Sequence, residues 1–83
     1  MSGTNGKYLK LKEQALQDAQ VAGLLQKMNT QPEGSDAYKA AAYEYTAALF
    51  AKMRKLDPSS EEILTRKEGA YNRRIAEGKM IVE

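Results

Sequence analysis

Between residues 35 and 56 apolar side chains recur at every third or fourth step. Tyr38, Ala41, Ala42, Tyr45, Ala48, Leu49, Met53 and Leu56 fall on one side of a helix that turns about 100° per residue. Ser35 stands where an N-cap belongs, and Asp36 places negative charge at the positive end of the helix dipole. Lys52, Arg54 and Lys55 fill the last turn, and Asp57-Pro58 ends the helix because a residue before proline is driven out of the α region. The same helix carries a second apolar stripe, Ala40, Tyr43, Ala47, Phe50 and Ala51, on its far side. A helix apolar nearly all round is covered on several sides. Either neighbouring helices of the same chain cover the second stripe, or another molecule does.

A weaker helical pattern precedes the central one, over residues 7–29. Tyr8, Leu11, Ala15, Ala19 and Ala22 share a side, and after Asp18 the apolar set rotates to Val21, Leu24, Leu25 and Met28. Asp18 can cap a new helix, so the pattern predicts one curved helix or two pieces broken near Asp18-Ala19. Gly23 lowers helix propensity, and close approach of a neighbouring helix is its expected reason. The cluster N-T-Q-P-E-G at 29–34 is a turn of the length that joins antiparallel helices.

A third helix is predicted over 59–77, with Ser59 as N-cap, Glu62 closing a capping box, and Ile63, Leu64, Ala70, Tyr71 and Ile75 as its apolar side. Residues 1–6 are small and polar and read as disordered, while 79–83 (K-M-I-V-E) are apolar enough to dock on the core. The expected fold is all-α: one domain over 7–83, an antiparallel helical hairpin plus a third helix, making a small three-helix bundle.

Composition narrows the chemistry. Among 83 residues there is no His, no Cys and no Trp, which removes the commonest general base, the thiolate nucleophile and the usual transition-metal ligands. Ser59 and Ser60 sit where a helix cap belongs, and Glu61-Glu62 point to different sides of a helix. The glycines are scattered singly, so no phosphate loop forms. The expectation is a protein that is not an enzyme, with no cofactor and no metal site. No apolar run is long enough to span a membrane. The compartment is left open between the cytoplasm and export with a removed leader.

Two binding readings remain. Tyr43, Ala47, Phe50 and Ala51 form a surface on which another helix can lie, which points to an interaction module that self-associates or holds a protein partner. Alternatively, Arg66 and Arg73, and Lys67 and Arg74, repeat at seven-residue spacing along the third helix and are candidate nucleic-acid contacts. The formal charge of +2 is spread evenly, and residues 59–83 hold five basic and five acidic residues, which weighs against a strong phosphate footprint. The segment Y-T-A-A-L-F-A-K-M-R-K-L-D-P-S at 45–59, with A-L-Q-D-A-Q-V-A-G-L-L before it, resembles short helical bacterial proteins, some of them exported. That resemblance implies a bacterial origin and brings no activity.

Overall fold

Asp18 divides the first predicted helix in two. In the computed structural model, which describes residues 3–79, α1 spans Gly3–Leu16 and α2 spans Ala19–Asn29. The Asp18 backbone is extended and its carboxylate accepts a hydrogen bond from the Val21 amide at 3.2 Å, so it caps α2. The break follows the rotation of the apolar stripe. Tyr8, Leu11 and Ala15 are buried from α1, and Val21 and Met28 from α2, and no single straight helix turns both sets toward one core.

The chain then turns back. Thr30 closes α2, its hydroxyl donating to the Lys27 carbonyl at 2.7 Å. Gly34 takes a φ of 79°, a left-handed conformation that suits glycine, and Ser35 follows as N-cap, accepting from the Tyr38 amide at 3.1 Å. The central helix α3, Asp36–Leu56, is 21 residues long and packs against every other element. A 3-10 turn, Pro58–Ser60, leads into α4, Glu61–Ala76.

The described residues are therefore all helical, with four α-helices where three were expected. The α1 helix starts at Gly3, inside the segment read as disordered. Met1 and Ser2 lie outside the described residues, as do Met80–Glu83, on which most of the expected C-terminal docking falls.

The cap before α4 is not the expected one. Ser60 holds the N-cap position and makes no side-chain cap bond, and Ser59 donates rather than accepts. Asp57 is the acceptor: its carboxylate takes the Ser59 amide at 3.2 Å, the Ser59 hydroxyl at 2.5 Å and the Ser60 hydroxyl at 2.8 Å. Lys7 reaches the same carboxylate at 3.3 Å, tying α1 to the turn. A carboxylate accepts several donors at once, whereas a hydroxyl has less acceptor capacity, so the acidic residue wins the turn.

These donors, the Ser59 hydroxyl foremost and then that of Ser60, pull the Asp57 pKa from 3.8 to about 2. A carboxylate whose folded pKa is depressed stabilises the fold above its unfolded value and loses that contribution as pH falls through the folded value. The contribution of Asp57 is thus complete above about pH 4 and declines toward about pH 2. Urea unfolding across that window should show a steeper loss of stability for the wild type than for Asp57→Asn.

Among the described residues one buried side-chain polar group has no hydrogen-bond partner. The Thr46 hydroxyl lies in the α3 core face with no hydrogen bond. Stranding a polar group this way costs about 1–3 kcal/mol, and Val has nearly the same shape and helix propensity. Thr46→Val should raise the unfolding free energy by about 1 kcal/mol, read as a higher urea midpoint at an unchanged slope.

Candidate interaction surface

The two stripes of α3 meet different fates. On the inner side Tyr38, Ala41, Ala42, Tyr45, Leu49 and Met53 are buried as expected, Ala48 is half-buried, and Leu56 is 44% exposed. On the far side Ala40, Tyr43, Ala47 and Ala51 are exposed, with Tyr43 at 43%. Phe50 leaves that group. It is fully buried, its ring stacked 6.4 Å from Tyr8 of α1 and edge-on 5.1 Å from Tyr71 of α4.

The reason is where α4 lies. Thr46 and Phe50 stand on the edge of α3 that α4 covers, which widens the buried arc to about half the helix circumference. The cluster is closed by the hydroxyls of Tyr8 and Tyr71, 3.3 Å apart. Lys67 of α4 lies 5.0 Å from the Tyr8 ring centre, and Lys12 of α1 lies 5.6 Å from that of Tyr71. What remains open is a stripe of Ala40, Tyr43, Ala47 and Ala51, one aromatic among alanines.

Ion pairs border the stripe. On the α2 side Lys27 meets Glu44 at 3.2 Å and Lys52 meets Asp18 at 3.8 Å. Lys55 shares that edge, lining a groove with Asp18, Gln20, Val21 and Ala51. On the α4 side the Arg54 guanidinium reaches Glu61 at 3.0 Å, Glu68 at 2.7 Å and the Thr65 hydroxyl at 3.4 Å. The hydrogen bond to Glu68 leads the effects that hold Arg54 above its ordinary pKa, so this charge is permanent.

The pattern continues onto the flanking helices. Gln20, Gly23 and Lys27 form one row of α2, at steps of three and four, along the edge nearest the α3 stripe. Gly69 follows Thr65 by one turn and lies between the edge of α4 that Arg54 reaches and the outer side that carries Glu62 and Arg73. Both glycines sit inside helices and are exposed, and a β-carbon added to either would meet nothing within 4 Å. The expected explanation of Gly23, close approach by a helix of its own chain, is therefore overturned. At low protein concentration Gly69→Ala should raise stability by about 0.5–1 kcal/mol, seen as a melting temperature higher by about 4 °C.

The four candidate nucleic-acid contacts do not form one patch. Arg66 and Arg73 project from the outer side of α4, roughly opposite the buried Leu64 and Tyr71. Lys67 and Arg74 are half-buried on the edge facing α1, and Lys67 is held over the Tyr8 ring. Glu62 and Glu77 share the outer side with Arg66 and Arg73.

A second depression, about 220 Å³, lies between α1 and the start of α4, lined by Lys7, Tyr8, Leu11, Ser59, Glu62 and Ile63 among others. Among the described residues no group of three or more Asp or Glu side chains is placed to hold a metal ion, and no helix is long and apolar enough to cross a membrane. No known protein family, curated protein or solved structure matches the chain.

Proposed function

We propose that this protein is a small, non-catalytic helical interaction module that self-associates through the outer face of α3. The observation that carries this reading is the exposed stripe of Ala40, Tyr43, Ala47 and Ala51 on the central helix of the fold. An exposed helix face is ordinarily filled with long charged side chains, and here three alanines and one tyrosine hold it as far as Arg54. Alanines let another backbone approach closely, and Tyr43 supplies a rigid amphipathic anchor of the kind enriched at interfaces. The short apolar side of α4 and the small size of the chain limit the core, so burial against a second molecule adds stability that the monomer lacks.

Sedimentation equilibrium tests this reading. The apparent mass should rise with concentration from 9.2 kDa toward twice that value. A mass fixed at the monomer value from micromolar to millimolar protein contradicts it.

The competing reading, nucleic-acid binding through α4, rests on Arg66 and Arg73 alone once Lys67 and Arg74 are assigned to the α1 edge. It requires salt-dependent binding that weakens when both arginines become alanine.

A further inference from the structure

The positions around the α3 stripe are arranged with a symmetry that selects the occupant. We infer that the face is covered by a second copy of the same chain, its α3 antiparallel to the first, about a two-fold axis level with Leu49. This rests on the self-association proposed above and adds the partner, its direction and its register.

Three pairs of positions have midpoints within one residue of one another, close to Leu49. Ala47 and Ala51 lie two residues either side of position 49 on the stripe. Glu44 and Lys55 lie on the α2 edge, bracketing the same level, and Tyr43 and Arg54 bracket it on the α4 edge. A two-fold axis perpendicular to two facing antiparallel helices keeps each edge on its own side and reverses only the order along it. Ala47 then meets the partner's Ala51, small on small. Glu44 comes level, to within a residue, with the partner's Lys55. Tyr43 comes level with the partner's Arg54, an aromatic face against a guanidinium. A parallel pair instead sets Lys55 against the partner's Arg54, like charge on like, and opposes no acid to a base.

The flanking glycines supply the independent observation. The ion pairs Lys27–Glu44 and Asp18–Lys52 fix how α2 runs against α3, and Gly23 falls between them, level with Ala47 and Ala48. The contacts of Arg54 with Thr65 and of Phe50 with Tyr71 place Gly69 level with Ala51. Along α3 the two glycines therefore bracket the level of Leu49, Gly23 before it and Gly69 after it, as Ala47 and Ala51 do. Each glycine weakens its own helix by about 1 kcal/mol and packs against nothing in its own chain.

The chain has no cysteine, which makes the register testable by disulfide formation. The variants Ala47→Cys and Ala51→Cys, mixed in equal amounts in a glutathione buffer, should give mainly the mixed 47–51 disulfide dimer, where chance pairing gives only half. Neither variant alone should cross-link efficiently: in the inferred register identical positions are offset by four residues, about 6 Å along the axis. A disulfide needs β-carbons about 4 Å apart. Both substitutions are at exposed positions, and circular dichroism confirms that the variants remain helical. If Ala47→Cys alone cross-links as readily as the mixture, or if no combination cross-links while the wild type sediments as a dimer, the register is wrong and self-association stands. If no combination cross-links and the wild type sediments as a monomer, both fail.

Discussion

Phe50→Ala destabilises the fold by about 3–5 kcal/mol, at the top of the range expected for truncating a buried side chain. The ring is fully buried and sits where three helices meet, stacked on Tyr8 and edge-on to Tyr71. Truncation removes the transfer energy of the ring and both aromatic contacts, and it leaves a cavity whose walls are two tyrosines linked through their hydroxyls. Domains of this size have a total stability of about 4–12 kcal/mol at the usual 0.05–0.15 kcal/mol per residue, so the variant is close to unfolded at ambient temperature. Tyr43→Ala, one helical heptad away, should change monomer stability by less than about 0.5 kcal/mol, because its ring already faces water. Chemical denaturation of the two variants at low concentration separates the roles. Equal losses would show that Tyr43 and Phe50 belong to one surface after all.

The second large effect is on association. Ala47→Glu should abolish self-association while leaving the monomer's stability within about 0.5 kcal/mol of wild type. Ala47 is exposed on the outer side of α3, so a carboxylate there is fully solvated in the monomer. In the pair it would be pressed against the partner's Ala51, and the two-fold axis brings two such charges near one another. Burying charge without a preformed partner is among the most costly changes a contact can suffer. Monomeric sedimentation of the variant at concentrations where wild type is dimeric is the expected result. Wild-type behaviour would remove Ala47 from the interface.

Much of this architecture was legible in the residues. The Asp18 and Ser35 caps, the break they imply and the inner stripe of Tyr38, Tyr45 and Leu49 follow from spacing and local hydrogen bonding, which need no knowledge of tertiary placement. Phe50 marks the limit of that reasoning. Its angle around α3 was correct, yet an angle says nothing of how far a neighbouring helix wraps, and α4 wraps far enough to take it. Ser59 failed for a different reason. Asp57, Ser59 and Ser60 are all competent caps, and which one accepts depends on the path of the chain through Pro58. Gly23 was misjudged because a helix interior with glycine suggests an internal contact, and only the folded structure reveals the open space beside it.

The fold and the proposed surface meet in α3, whose inner half holds the bundle together and whose outer half carries the alanine stripe beside Glu44, Arg54 and Lys55. The most direct test is a dilution series followed by NMR, from millimolar to micromolar protein. The account predicts that signals of Ala40, Tyr43, Ala47 and Ala51, with the glycine amide of Gly23, move together with concentration while those of Lys10 and Arg66 stay fixed. A spectrum that does not change across the series, or changes centred on Arg66 and Arg73, would contradict it.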